Sequence, residues 1–131
     1  MNNFLKKSLV IGALGFSLLS TITASAREIG NLNTFALPRW MTVVNTEFLM
    51  KSTTNAPWVL NISSLSGATS VDTYLANSDL DRRSNYVVAS GGRVEIPSWG
   101  QAGYYYTAVL MNSKSSSSNG YITGSWSPDN Q

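Results

Sequence analysis

Beyond residue 26 no window repeats its apolar residues at the three-and-four spacing of a helix face. Short runs of β-branched and aromatic residues recur instead, separated by Gly, Ser, Asn and Thr. That punctuation predicts an all-β fold, an antiparallel β-sandwich or barrel of about seven or eight short strands.

The longest such run is residues 103–112, Gly-Tyr-Tyr-Tyr-Thr-Ala-Val-Leu-Met-Asn. Side chains alternate faces along a strand, so Tyr104, Tyr106, Ala108 and Leu110 are expected on one side. Tyr105, Thr107, Val109 and Met111 then take the other. Both sides are largely apolar, which suits a strand covered on both faces, or one that offers a face to a partner.

The remaining runs follow the same logic. Residues 27–33 read as a loosely held start and 34–37 as a short strand stopped by Pro38. Residues 41–51 read as one half-buried strand, with Val44, Phe48 and Met50 inward and Asn45, Glu47 and Lys51 outward. Trp58, Leu60 and Ile62 mark the buried side of the next strand, and Ser66-Gly67 breaks it. Val71, Thr73 and Leu75 define another, opposite Asp72 and Tyr74. Residues 86–90 and 93–96 are separated by Gly91-Gly92, a spacing that predicts a tight hairpin. Residues 97–103 form a turn around Trp99, residues 113–119 a serine-rich connection, and residues 121–126 a last strand.

The first 26 residues are of a different kind. Lys6 and Lys7 precede an apolar run over residues 9–19, and Ala24-Ser25-Ala26 forms a small-x-small cleavage site. This is the pattern of a secretory signal peptide, and the run is short for a membrane span. The expected product is a secreted, extracellular single domain over residues 27–131, with no membrane span after cleavage. Its basic and acidic residues balance once Lys6 and Lys7 are removed, so its net charge is about zero. Arg82-Arg83 is the only adjacent basic pair, and a solvated turn accounts for it. No nucleic-acid partner is expected, because phosphate binding needs clustered cations.

The missing residue types narrow the chemistry further. The chain has no Cys and no His, which removes disulfides, Ser-His-Asp triads, cysteine nucleophiles and the usual zinc and copper ligands. A Ser-Lys pair at a spacing of three is absent too, since Phe48 precedes Lys51 and Met111 precedes Lys114 in that place. The acids Glu28, Glu47, Asp72, Asp79, Asp81, Glu95 and Asp129 read mostly as turn and surface residues rather than a glycosidase pair. Asn77-Ser-Asp-Leu-Asp81 resembles the start of a calcium loop, but Arg82 stands where the loop needs Gly and Val88 where it needs Glu. A turn in which Asn and Asp bond their own backbone fits better. No catalytic residue, cofactor or metal is expected, and the chain does not read as an enzyme.

What remains is aromatic. Trp58 is in phase with Leu60 and Ile62 and is expected in the core. Trp99 and Trp126 lie near strand or loop ends, where a ring can close the edge of the core or stack on a ligand. Either Tyr105 or the Tyr104/Tyr106 pair is expected to face outward. Tyr104, Tyr105, Tyr106, Trp99 and Trp126 are therefore the candidate binding surface, since such rings suit sites wet on one side and apolar on the other.

Three stretches carry a family resemblance: Lys51-Ser-Thr-Thr-Asn-Ala-Pro-Trp-Val-Leu-Asn61, Gly103-Tyr-Tyr-Tyr106 and Gly120-Tyr-Ile-Thr-Gly-Ser-Trp126. With them the chain resembles small, cysteine-free secreted proteins of Gram-positive bacteria that have no assigned function and carry no catalytic residues. In composition alone it is similar to lactococcin-type bacteriocins. The expectation is a non-catalytic secreted protein that binds a cell-envelope component, a glycan or a protein partner. A bacteriocin-like antimicrobial role is the alternative.

Overall fold

The computed structural model describes residues 27–131, so the expected signal peptide lies outside the described residues. Nine strands follow in chain order. They are β1 (Gly30–Leu37), β2 (Val44–Asn45), β3 (Leu49–Met50), β4 (Trp58–Ser66) and β5 (Val71–Asn77). Then come β6 (Val87–Ala89), β7 (Gly92–Ile96), β8 (Tyr105–Asn112) and β9 (Gly120–Ser127).

All pairings are antiparallel. One sheet has the order β1-β9-β4-β7; the other has β2-β8-β5-β6, with β3 also on β8. The sheets pack face to face as a β-sandwich. Leu60, Ile62, Ile122 and Trp126 of the first sheet share one core with Val71, Leu75, Ala108 and Leu110 of the second. Sheet-on-sheet packing of this kind is what alternating inward residues on both layers produce. Trp58 and Trp126 meet edge to face in that core, with centroids 6.4 Å apart. Among the described residues no helix is long and apolar enough to cross a membrane.

Three expectations about the strands are corrected. The predicted strand over residues 41–51 is broken. Val44 opposes Leu110, yet Leu49 opposes Tyr106, so the edge takes up one extra residue between β2 and β3. Thr46 holds this bulge: its hydroxyl accepts the Ala108 amide at 3.0 Å, and its own amide donates to the Ala108 carbonyl. An extra residue inverts the phase of everything beyond it. Phe48 therefore faces solvent and Lys51 is fully buried, the reverse of the predicted pattern.

The chain start is a true strand from Gly30 onward, paired along β9 with Leu32 in the core. Its alternation is hard to see because Gly30 occupies an inward position without an apolar side chain. Gly91-Gly92 does not close a hairpin either. β6 pairs with β5 in one sheet and β7 with β4 in the other, so the glycines carry the chain across the sandwich. Gly92 makes that step with φ at 73°, a conformation that other residues resist.

Gly124 has the opposite role, inside a strand. Both ladders of β9 shift register beside it, and a Cβ there would fall onto the Asn61 carbonyl oxygen of β4. Only glycine lets the two backbones approach so closely.

Candidate binding cleft

The most distinctive concavity is assembled by the turn that precedes β8. Residues 98–104 are tied down on both flanks. On one side, Asn55 donates to the Gly100 carbonyl at 2.8 Å, Gly103 to the Lys51 carbonyl at 2.8 Å, and Lys51 to the Tyr104 carbonyl at 2.9 Å. On the other, the Arg83 amide donates to Leu75 and the Trp99 amide to the Arg83 carbonyl, at 2.7 and 2.9 Å. From below, the Tyr106 hydroxyl accepts the Gln101 amide at 2.7 Å. A turn held this way has a fixed backbone from which its side chains project.

The turn faces the Asn77–Asp81 loop at the end of β5. Asn77 Oδ1 accepts the amides of Asp79 and Asp81 at 3.0 and 2.9 Å, which closes the loop on its own backbone as expected for an Asx turn. Leu80 takes a positive φ of 66° at its tip. Among the described residues no group of three His, Cys, Asp or Glu forms a metal cluster.

Between turn and loop lies a cleft of about 370 Å³, lined by Asn77, Ser78, Asp79, Arg83, Trp99, Gln101, Tyr104, Tyr105 and Tyr106. Four of the five aromatic candidates named from sequence are therefore brought to one place. Their roles differ. Tyr104 is 61% exposed, Tyr105 53% and Trp99 45%, whereas Tyr106 is 4% exposed and forms the floor. Tyr104 and Tyr106 do not act as a pair, because the strand begins only at Tyr105 and Tyr104 still belongs to the turn. Beyond the floor, Thr107 and Val109 are buried as well, so the middle of β8 is covered on both faces.

Trp126 is the exception: of the two places expected for it, the edge of the core and a ligand-stacking surface, it takes the core and so leaves the candidate binding surface. It is 1% exposed and packs on Trp58. Its place near a strand end looked peripheral, but β9 is an inner strand between β1 and β4, and both edges of it are paired. Its indole nitrogen has no hydrogen-bond partner among the described residues.

The polar lining was not identified from sequence. Asn77 opposes Tyr106 across the β5–β8 ladder, a long-range register that no local pattern encodes. Arg83 was visible only as half of a basic pair. Its guanidinium donates to the Arg82 carbonyl at 2.9 Å and lies 3.9 Å from Asp81. One cation and one carboxylate, Arg83 and Asp79, line the cleft together with the amides of Asn77 and Gln101. The arrangement offers hydrogen bonds of both polarities without a net charge.

A second polar group was missed entirely. Beneath the turn, Lys51 Nζ lies 3.3 Å from Asp129 Oδ1, with both side chains shielded from solvent. Nζ also donates to the Ala56 carbonyl at 2.7 Å and to the Pro128 carbonyl. Asp129 Oδ2 accepts the Ser52 amide at 2.7 Å and the Ser52 hydroxyl at 2.9 Å, and Oδ1 accepts the Thr53 amide at 3.1 Å. Burial pushes the Lys51 ammonium below the usual lysine range, and the charge and hydrogen bond of Asp129 oppose that shift.

No family model matches the chain, no curated protein matches its sequence, and no solved structure matches its fold.

Proposed function

We propose that this is a secreted, non-catalytic binding protein of the bacterial cell surface, and that its ligand is a glycan held in the cleft between residues 77–83 and 99–106. The observation that carries this reading is the set of three exposed rings, Trp99, Tyr104 and Tyr105, beside a polar, charge-balanced lining. A sugar ring has an apolar C–H face and a rim of hydroxyls. The aromatic faces meet the first, and Asn77, Asp79, Arg83 and Gln101 meet the second as donors and acceptors.

Size supports the same choice among the envelope, glycan and protein partners. The volume falls within the range of about 300–1,000 Å³ typical of small-ligand pockets. A stable protein partner instead needs a broad patch, about 800 Å² on each side. The cleft is held by backbone hydrogen bonds on both flanks, so little loop-ordering cost attaches to filling it.

The test is a binding assay of the purified protein on intact Gram-positive cells and on isolated walls, with viability counted in the same wells. The reading expects saturable binding to both, unchanged viability and competition by soluble wall oligosaccharides. Killing without saturable wall binding would overturn it in favour of an antimicrobial role.

A further inference from the structure

We propose that Lys51 and Asp129 condense inside the folded chain, joining the Lys51 side-chain nitrogen to the Asp129 side-chain carbonyl carbon as an amide and releasing one water. The two groups are already in contact at 3.3 Å and sealed from solvent, across a sequence separation of 78 residues. Proximity of this kind turns a bimolecular condensation into an intramolecular one.

The hydrogen bonds around Nζ hold it against the carboxyl group; they stabilise the ammonium, which must lose a proton before it can attack. An ammonium has three hydrogens, and here they point to Ala56 O, Pro128 O and Asp129 Oδ1. In the neutral amine the two carbonyls still hold two of them, and one of those follows into the water as the amide forms. The third is the proton that can pass to Asp129, and its departure leaves the nitrogen lone pair facing the carboxyl group. Burial works toward that proton loss on the lysine side, since desolvation disfavours the ammonium.

The carboxyl group is equipped for attack. As nitrogen adds to Cγ, negative charge develops on oxygen, and the Ser52 amide and hydroxyl already donate to Oδ2. They occupy the place of an oxyanion hole, with the Thr53 amide on Oδ1. The C–N bond forms, the Cγ–Oδ1 bond breaks, and Oδ1 leaves as water with two of the three original ammonium hydrogens. Oδ2 remains as the amide oxygen and keeps its Ser52 donors. No oxidant, reductant or further reactant is required.

The link would serve a chain that has no cysteine for a disulfide. It joins the segment after β3 to the segment after β9, and so closes a long loop covalently. It is independent of the glycan reading, because neither side chain lines the cleft.

Intact mass spectrometry of the purified protein under denaturing conditions tests it. The expected mass is one water below that of the sequence from the same N-terminus. A tryptic digest then yields a branched peptide joining the residues around Lys51 to those around Asp129, without cleavage after Lys51. Lys51→Met and Asp129→Ala proteins have their full calculated masses. A wild-type protein that keeps its full mass after prolonged incubation, with cleavage after Lys51, overturns the proposal. So does a water loss that survives in Lys51→Met, since that locates a cyclic imide at Asp129 instead.

Discussion

Lys51 Nζ and Asp129 Oδ1 lie 3.3 Å apart at the base of the turn that carries Trp99, each fully withdrawn from solvent. Removing one partner leaves the other's buried polar atoms without their mate, whether the two are ion-paired or amide-linked, a loss of about 3–5 kcal/mol. Lys51→Met is therefore expected to lower stability by about that much in guanidinium unfolding. Asp129→Ala also releases the amides of Ser52 and Thr53 and should be at least as damaging. The double variant should cost clearly less than the sum, because the residues act as one unit. Additive losses would show that they do not.

Trp58 and Trp99 make a second contrast. Trp58 is buried between the sheets, and its indole donates to Ser84 Oγ at 3.0 Å. Trp58→Ala is expected to destabilise by about 3–5 kcal/mol. Trp99→Ala, at an exposed position, should change stability by no more than about 0.5 kcal/mol. Equal losses in the two variants would place Trp99 in the core and remove it from the cleft.

Gly124 tests the close approach of β9 and β4. Gly124→Ala sets a methyl group against the Asn61 carbonyl and should cost more than about 1 kcal/mol. A neutral outcome in thermal unfolding would mean that the strands part there without penalty.

Tyr86 gives a prediction about pH. Its hydroxyl donates to Asp72 Oδ2 at 2.7 Å, and this hydrogen bond holds the phenol above its ordinary ionisation range. A group whose folded pKa is raised binds more protons when folded. Its contribution is complete below the unfolded tyrosine value of about 10 and is lost as pH rises through the folded value. The difference in phenolate absorbance between wild type and Tyr86→Phe should titrate above the ordinary tyrosine range. A midpoint at or below that range would contradict the hydrogen bond.

The architecture was legible where alternation runs undisturbed. Trp58, Leu60 and Ile62, or Val71, Thr73 and Leu75, announce their inward faces, and the density of turn residues between runs announces a sandwich. Legibility failed where one residue changes the phase, as at Thr46, or where a turn signal hides a crossing between sheets, as at Gly91-Gly92. The cleft was half legible for a related reason. Its aromatic members and Gln101 are neighbours in sequence, whereas Asn77 and Arg83 join them only through the β5–β8 register and the Arg83–Trp99 backbone bond. Lys51 and Asp129 left no local signal, since each looks like an ordinary surface charge until the bulge turns Lys51 inward.

The central claim, a glycan bound between the exposed rings, is tested most directly by titrating the purified protein with soluble cell-wall oligosaccharides while following tryptophan fluorescence. The account predicts a saturable change that disappears in Trp99→Ala, and binding weakened about tenfold or more in Tyr104→Ala, a loss of about 1.4 kcal/mol or more. Stability of the Trp99→Ala protein should be unchanged. Saturable binding that both variants retain in full, or no binding of any wall oligosaccharide by the wild-type protein, would contradict it.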